Sequence, residues 1–540
     1  MKLKKVLALS LAMIMTVSAF AACGNTAEEE ETPVSSNTGE KATQAAESEP
    51  AAEESEGITF PLKEEITFTG ITVLNADQYK VSESLAWSSH VEDTNVKFEF
   101  TDILNSEAQE KVGLLFAGDN YPEFFYKINY DYNTMGTEGM IIPLGDLIRE
   151  YMPNLSAILD ERDGWYALEA PDGHIYSLPN ITPAKLDNGG APLWINKKWI
   201  DELGLEMPTN LDELYNVLKA FKEKDPNGNG ENDEIPFTLT VDNSWYPARR
   251  FIQYVGDGLQ SYTTYLMYKD GEINLYPFTD SFKDNYIGFL KKLYDEEILD
   301  QNAFTQTHEQ LHALGQSKNV YGMFFASNST VAIPKENAED YVLLKPFAPL
   351  PFTGGIGANG MAITDKCENP EVLCAWMDYF YGDEGSRLAT MGVEGVTYTL
   401  NEAGEYSVAE GHLLGQDGLN GTSNWAGAYH NDAFKVDSEK DPAAAWINDQ
   451  YYNEEYGLYV NEEYYDMLPG LKYTEEEAKI RADIEADIKP YVATYIAQTV
   501  TGQLDLEDSW EDFQKTLRDM RAEELLEIHK AAYERFLTRE

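Results

Sequence analysis

Apolar and polar positions alternate along the chain with two different periods. The segments EEITFTGITVLN (64–75) and NVKFEFTDI (95–103) alternate residue by residue, which predicts β-strands. Between them residues 84–91 have a helical pattern, and EAQEKVGLLFAGD (107–119) predicts an amphipathic helix. YPEFFYKI (121–128) then predicts a buried strand. This succession predicts an α/β fold with helices on the faces of a sheet.

The N-terminus has the layout of a bacterial export signal. Three lysines precede the apolar stretch 6–17, which is too short to span a bilayer comfortably. The small residues that follow lead into Cys23 and resemble the lipobox of bacterial lipoproteins, although Phe20 stands where Leu is usual. We therefore expect a signal peptide at residues 1–22 and a lipid at Cys23. An ordinary secretory signal with an incidental cysteine is the alternative.

Residues 23–57 differ in composition from everything that follows them. Glu, Ala, Ser, Thr and Pro dominate this stretch, so it cannot bury enough surface to offset chain entropy. We expect a disordered acidic tether. The rest of the chain is rich in aromatic and aliphatic residues and is long enough for two packed lobes. No later stretch is long and apolar enough to span a membrane.

The charge of the chain excludes one class of partner. A formal net charge of -54 without clustered Lys and Arg argues against nucleic acid, whose binding requires cations that displace counterions. Cys367 and Cys374 are the only cysteines besides Cys23. They form either a disulfide or two buried thiols, and the sequence leaves both open.

Several motifs, in order along the chain, carry a family resemblance. They include PDGHIYSLPN from residue 171, YGMFFASN from 321, GGIGANGMAIT from 354 and GVEGVTYTL from 392. Together with the C-terminal segment these motifs resemble the extracellular solute-binding lipoproteins of bacterial ABC importers, in their sugar-binding branch. The resemblance covers nearly everything after the tether.

The resemblance implies a two-lobed, periplasmic-binding-protein-like α/β fold with the ligand in a cleft between lobes. Closure of such a cleft hides the ligand from water, and the permease recognises the closed shape. Crossing segments are expected near residues 183–194, 347–360 and 392–398. The expected lobes are 58–185 with 350–394, and 186–349 with 395–540. The protein is expected to be a monomer on the outer face of the membrane, held by its lipid and serving an ABC permease.

A sugar ligand would require aromatic rings against its C–H faces and polar groups around its hydroxyls. Trp in polar, glycine-rich loops fits this role, while core packing is the alternative for each ring. Trp194, Trp199 and Trp376 fall in strand or helix patterns and are expected in the core. The candidate ligand-binding residues are Trp245, Tyr246, Arg249, Glu394, Tyr398, Asn424, Trp425 and Trp446.

The segment DPNGNGENDEIP (225–236) places oxygen-bearing side chains at alternate positions, as an EF-hand loop does. Its twelfth position is Pro236, where such a loop needs a bidentate Glu, so a standard EF-hand is excluded. Alginate-oligosaccharide-binding members, which the chain resembles, close a calcium loop with an adjacent Asp-Glu pair. The resemblance thus implies structural calcium; a polar turn without metal is the alternative. The candidate ligands are Asp225, Asn227, Asn229, Glu231, Asp233 and Glu234.

Two enzymatic alternatives remain open. His308, Glu309 and His312 spell H-E-x-x-H, the pattern of a zinc protease, but Lys318 stands where the longer pattern has a third His. A glycosidase would need a defined pair of carboxylates, and none can be selected among 94 acidic residues. The order of the motifs favours binding without turnover. We therefore expect no enzymatic activity.

Overall fold

The computed structural model describes residues 57–74, 80–162, 164–182, 192–241, 248–255, 258–261, 263–352, 355–412, 419, 427–429, 434–458, 465–467 and 470–539. The predicted signal peptide, Cys23 and the predicted tether up to residue 56 lie outside these residues. Within the described ranges, no helix has the length and apolarity needed to cross a membrane.

The described strands form several sheets. They are β1 (Ile66–Leu74), β2 (Val96–Leu104), β3 (Phe124–Tyr126), β4 (Leu178–Ile181), β5 (Leu193–Asn196), β6 (Leu259–Gln260), β7 (Leu266–Lys269), β8 (Glu272–Leu275), β9 (Met323–Phe325), β10 (Tyr341–Leu343), β11 (Leu350–Phe352), β12 (Ile356–Ile363), β13 (Tyr398–Leu400), β14 (Tyr406–Val408) and β15 (Tyr465–Met467). Two of these sheets are referred to below by number. The first sheet has the strand order β2-β1-β3-β12-β4, and the second sheet has the order β10-β5-β9.

Helices cover both sheets and form the C-terminal part. They are α1 (Leu85–Glu92), α2 (Ala108–Ala117), α3 (Tyr132–Thr137), α4 (Gly145–Tyr151), α5 (Pro153–Glu161), α6 (Gly164–Leu168), α7 (Lys197–Glu202), α8 (Leu211–Glu223), α9 (Ile252–Val255), α10 (Phe289–Asp295), α11 (His308–Lys318), α12 (Pro370–Asp378), α13 (Asp383–Met391), α14 (Pro442–Tyr452), α15 (Glu475–Val500), α16 (Leu506–Asp519) and α17 (Ala522–Leu537). A π-helix, Phe282–Gly288, leads into α10.

The first sheet combines parallel and antiparallel strands. β1 pairs in parallel with β2 over its whole length and with β3 on its other side. β12 returns from far along the chain and lies antiparallel between β3 and β4. The helices α1 and α12 bring Trp87 and Trp376 together beneath the sheet, with ring centroids 4.7 Å apart. The alternating and buried strands predicted from the sequence are thus confirmed, as are the two predicted helices.

The second sheet lies within the larger hydrophobic core. β5 is buried along its whole length because it is the central strand, antiparallel to β10 and β9. The amphipathic α8 buries Leu214, Leu218 and Phe221 in this core, and Asn210 caps its first turn by accepting from the Glu213 N–H at 2.9 Å. Residues of α15, α16 and α17 pack in the same core.

The chain changes sheet between β4 and β5 and again before β12, while the expected lobe boundaries and crossing segments stay predictions. β4 belongs to the first sheet and β5 to the second, and β11 precedes the return into β12. The linking residues 183–191 and 353–354 lie outside the described ranges. Leu419 and Ala428, which the expected boundaries assign to the second lobe, pack in the core beneath the first sheet.

The cysteines resolve one alternative that the sequence left open. Cys367 and Cys374 are not bonded to each other and are both free among the described residues, and Cys374 is fully buried. Burial raises the pKa of the Cys367 thiol to about 12, so it stays protonated at neutral pH. The tryptophans expected in the core, Trp194, Trp199 and Trp376, are all buried.

Candidate functional site at the junction of the two sheets

The second sheet presents an ordered edge where the chain enters it. Leu193 donates its N–H to the Tyr254 hydroxyl at 3.1 Å, and its carbonyl accepts from Leu344 at 2.7 Å. Two residues after the end of β9, the Ser327 carbonyl accepts from the Tyr451 hydroxyl at 2.6 Å. Hydrogen bonds therefore hold together the ends of β5, β9 and β10 at this edge. The Tyr451 side chain of α14 is bonded to the same edge.

The first sheet has a matching edge where the chain leaves it. Thr182 donates its N–H to the Gly355 carbonyl at 2.8 Å, and the Arg162 guanidinium donates to the Thr182 carbonyl at 2.9 Å. Gly355 has φ of +65°, and a Cβ there would lie 2.2 Å from the Thr182 carbonyl oxygen. Only glycine permits this close approach of the two crossing strands. Arg162 also lies over the Tyr429 ring, 5.4 Å from its centroid.

Sequence reasoning missed the residues that fix this junction. Arg162 lies within the charged run ERD at the end of α5, and Tyr254 lies in an apolar helical stretch. Neither has a local signal that distinguishes it from an ordinary surface or core residue. Their roles become visible only in the folded chain, where they contact segments that are distant in sequence.

Half of the predicted ligand-binding residues lie outside the ranges that the structure describes. Trp245, Tyr246, Asn424 and Trp425 are not among the described residues, and neither is the Arg249 side chain. Next to them, Arg250 and Gln253 are buried polar residues, 3% and 5% exposed. The Gln253 side-chain nitrogen is buried without a hydrogen-bond partner among the described residues. Buried polar groups of this kind are expected where a polar ligand binds.

Glu394 and Tyr398 do come together. The Gly395 N–H donates to the Tyr398 carbonyl at 2.7 Å, which closes a tight turn between these residues. Burial raises the pKa of Tyr398, the Glu394 carboxylate adds to the rise, and Arg387 opposes it. These side chains line a cavity of about 540 Å³ together with His90. Glu394 therefore lies in the turn that follows α13, and Tyr398 is the first residue of β13.

Trp446 lies elsewhere, on α14. Its indole N–H donates to the Tyr341 carbonyl at 2.9 Å, and its half-buried ring packs against the second core. Tyr341 pairs with Asn196, at the far end of β5 from the crossing. The structure therefore does not bring Trp446 together with Glu394 and Tyr398 in one described cavity.

The predicted calcium loop is compact and rich in internal hydrogen bonds. The Asp225 carboxylate accepts from the N–H groups of Asn229, at 3.1 Å, and Gly230, at 2.9 Å. One oxygen of Asp233 accepts from the side-chain amides of Asn227 and Asn229 at 3.1 and 3.0 Å. Five of the six predicted ligands are therefore connected in one turn, in which the exposed Glu231 takes part through its backbone N–H.

Glu234 is the exception to this satisfied network. It is only 6% exposed, and its Oε1 is buried with no hydrogen-bond partner among the residues that the structure describes. Burial raises the pKa of Glu234, and the nearby carboxylates of Asp225 and Asp233 contribute to the rise. A buried carboxylate oxygen facing other carboxylates is the arrangement that a hard cation would stabilise. Within the described ranges, no group of three or more His, Cys, Asp or Glu residues is arranged to hold a metal.

The H-E-x-x-H motif lies on a helix, but the described residues around it form no metal site. His308, Glu309 and His312 lie on α11, which begins with a capping box at Thr307. The His308 Nε2 and a Glu309 carboxylate oxygen are 3.0 Å apart, so the acid that a protease would use as base contacts a would-be metal ligand. The two imidazole centroids are 5.6 Å apart, and the described residues supply no third ligand beside them.

Comparison with known proteins now identifies the family. The bacterial extracellular solute-binding protein family matches residues 81–387, more than half of the chain. The chain belongs to this family. The predicted resemblance and the two-lobed fold class are thereby confirmed.

Individual relatives support the assignment. The chain is 29% identical over 512 residues to the fructooligosaccharide ABC transporter substrate-binding protein FusA of Streptococcus pneumoniae, covering 89% of this chain and 92% of the relative. Solved FusA structures, one in complex with kestose and one of an EF-hand mutant with fructo-nystose, match with a TM-score of 0.67 and 26% identity over 88% of this chain and all of theirs. The alginate-binding protein AlgQ2 without calcium ion has a TM-score of 0.63 at 22% identity, covering 89% of this chain and 100% of its own, which shows the fold. These relatives are substrate-binding or alginate-binding proteins.

Proposed function

We propose that this protein captures a neutral oligosaccharide between its two lobes and delivers it to the permease of an ABC importer. The proposal rests on one observation, the similarity to FusA along 89% of the chain. The fixed junction of the two sheets supports it, because closure of two lobes requires rigid bodies joined by defined crossings. The proposed lobes are 58–185 with 350–394 and 186–349 with 395–540, with Leu419 and Ala428 reassigned to the first core.

Charge favours a neutral ligand over an anionic one. The chain has 94 acidic and 40 basic residues, so its mean field repels polyanions such as uronate oligomers. The repulsion lowers the rate of encounter and the affinity for an anionic chain. We therefore place the ligand with the fructooligosaccharides rather than with alginate.

Thermal unfolding of the tether-free protein, residues 58–540, tests this function. A ligand that binds only the folded state raises the melting temperature, and a concentration of 100 times Kd contributes about 2.7 kcal/mol. We expect kestose or a related neutral oligosaccharide to raise the melting temperature, and alginate or galacturonate oligomers to leave it unchanged. A shift with uronates alone would refute the proposed substrate class. Cleavage products after prolonged incubation would refute binding without turnover.

Arg162→Ala tests the role of the junction in the same assay. Loss of the guanidinium removes its contacts to the Thr182 carbonyl and the Tyr429 ring. We expect weaker sugar binding at nearly unchanged secondary structure. A matched control is Arg149→Ala, whose guanidinium lies over the Trp165 ring and, among the described residues, has no hydrogen bond to Thr182 or Gly355. Equal affinity of the two variants would argue against the junction as the site.

We also propose that calcium occupies the loop of residues 225–234. The support is the buried, partnerless Glu234 oxygen beside two carboxylates, together with the oxygen donors of Asn227 and Asn229. Bound calcium would neutralise repulsion among these carboxylates and tie α8 to the strand-like segment that follows it. Its role in this chain is structural, since the loop contributes nothing to the junction described above.

Chelation tests the calcium proposal. We expect EDTA to lower the melting temperature of the wild-type protein and calcium to restore it, because bound metal stabilises only the folded state. The variant Glu234→Gln should respond to neither, whereas Glu206→Gln, which changes an exposed acid on the same lobe, should behave as wild type. If EDTA leaves the melting temperature of the wild type unchanged and elemental analysis finds no calcium, the loop is a polar turn without metal.

The membrane anchor is a further part of the proposal. Its support is the lipobox-like sequence that ends at Cys23, ahead of a tether that can hold the binding lobes clear of the membrane. We propose a lipid-anchored protein on the outer face of the membrane, acting as a monomer with the permease. Expression of Cys23→Ser in a bacterial host should release the protein into the medium. Retention of that variant in the membrane fraction would refute the lipid anchor.

A further inference from the structure

Trp446 stands between two cavities on the second lobe. One is a mostly apolar cavity of about 640 Å³ along β10, and the other is a polar cavity of about 1030 Å³ beside α14. Both lie within or near the range of about 300–1,000 Å³ typical of small-molecule sites. The hydrogen bond from the indole to the Tyr341 carbonyl fixes the ring, so Trp446 presents a preorganised aromatic surface.

The polar cavity carries the groups that recognise sugars. Consecutive turns of α14 supply Trp446, Asn448, Asp449 and Tyr452, and Ser438 faces them from the preceding segment. The Asp449 carboxylate is held by a short bond from the Tyr456 hydroxyl and by the Asn453 amide at 3.1 Å. An aromatic ring beside an oriented carboxylate, an amide and a hydroxyl matches the C–H face and hydroxyls of a pyranose or furanose.

The charge of the cavity further limits its ligand. Four further carboxylates join Asp449 in the lining, those of Glu339, Glu405, Glu454 and Glu455, and Lys435 is the one cation among the described lining residues. The excess of carboxylates disfavours an anionic sugar, as the charge of the whole chain does. The chemistry therefore selects a neutral sugar with hydroxyls that donate to carboxylates.

The cavity is distinct from the junction of the two sheets. Tyr341, which holds Trp446, pairs with Asn196, whereas the crossing enters at Leu193. Three residues of extended strand separate these ends, about 10 Å. The polar cavity is walled by α14 and by the segment around Lys435, not by the ends of β4 and β12.

We propose that the polar cavity beside Trp446 is an accessory site for a neutral carbohydrate, separate from the cleft that serves transport. The proposal rests on the proposed carbohydrate function for its ligand class. An accessory site would hold a second sugar segment near the cleft and raise its effective concentration there.

Isothermal titration of the tether-free protein with kestose, and separately with maltotriose, tests the accessory site. We expect two equivalents of one of these sugars on the wild type and a single equivalent on Asn448→Arg, whose side chain fills the cavity without entering the core. Asn133→Arg, the same change at an exposed helical position of the first lobe, should retain two. Trp446→Phe keeps an apolar ring and should weaken the second binding event about 10-fold or more.

The outcomes separate the two proposals. A single equivalent on the wild type that Asn448→Arg does not change overturns the accessory site and leaves the transport function standing. Absence of binding by both sugars overturns both proposals for these neutral sugars. Circular dichroism of each variant excludes unfolding as the cause of a lost equivalent.

Discussion

Acid should destabilise this protein through His529, a histidine buried between the C-terminal helices. The side chain is fully buried on α17, and its Nδ1 lies 2.7 Å from the Tyr473 hydroxyl. Within the described ranges, its Nε2 is buried and has no hydrogen-bond partner. Burial lowers the pKa of His529 to about 4, and the cations of Arg481 and Lys489 on α15 add to the drop. The ring is therefore neutral in the folded protein at physiological pH.

The sign of the effect follows from the two pKa values. An unfolded chain binds the proton near pH 6.5, whereas the folded chain resists it until about pH 4. The stability contributed by the neutral ring is complete above pH 6.5 and is lost as the pH falls toward 4. At about 1.4 kcal/mol for each pH unit, the full loss is about 3 kcal/mol, and about 2.5 kcal/mol is lost by pH 4.5.

Urea unfolding of wild type and His529→Gln at pH 7.5 and 4.5 measures this contribution. The glutamine retains a polar partner for the Tyr473 hydroxyl but cannot be protonated. Wild type should lose about 2.5 kcal/mol more than His529→Gln between the two pH values. His174→Gln, which removes an exposed histidine, should lose as much as wild type. Equal losses by wild type and His529→Gln would refute the reasoning, since carboxylates titrate alike in both.

Three further changes have outcomes that the structure fixes. Gly315→Ala places a Cβ 2.1 Å from the Ala332 carbonyl oxygen, so it should lower the unfolding free energy by about 1–3 kcal/mol; an unchanged melting temperature would show that α11 shifts freely. Asp378→Ala removes the acceptor of the buried Leu155 N–H, a bond of 3.0 Å, and of the Asn154 N–H, a bond of 3.1 Å at an exposed residue. The unpaired Leu155 group should cost about 1–3 kcal/mol in urea unfolding, and a loss below about 0.5 kcal/mol would contradict this. Glu169→Gln breaks the 3.1 Å ion pair with Lys472 and should cost less than about 1 kcal/mol, so a larger loss of thermal stability would mean that the pair is not surface-like.

The sequence predicted local elements of this fold but not their partners. Alternation identified β1 and β2, and the helical period identified α1 and α2, because these patterns reflect which face of an element is buried. The placement of β12 between β3 and β4 has no local signal, since it pairs strands far apart in the chain. The free thiols of Cys367 and Cys374 likewise depended on tertiary geometry.

The candidate site divides in the same way. Glu394 and Tyr398 are close in sequence, so a tight turn brings them together, and the sequence predicted them as a pair. Trp446 was grouped with them on its residue type, but its helix carries it to another cavity. Arg162 was missed because its partner, the Thr182 carbonyl, is supplied by a crossing strand.

By itself the sequence determined the class of fold, the net charge of -54 that argues against polyanionic partners, and the oxygen donors of the 225–234 loop. These properties depend on composition and on residues within one or two turns of one another. Only the tertiary structure decided the sheet order, the burial of the Glu234 oxygen and the place of Trp446. They arise from contacts between distant segments, where packing and desolvation select one arrangement among many that the local pattern allows.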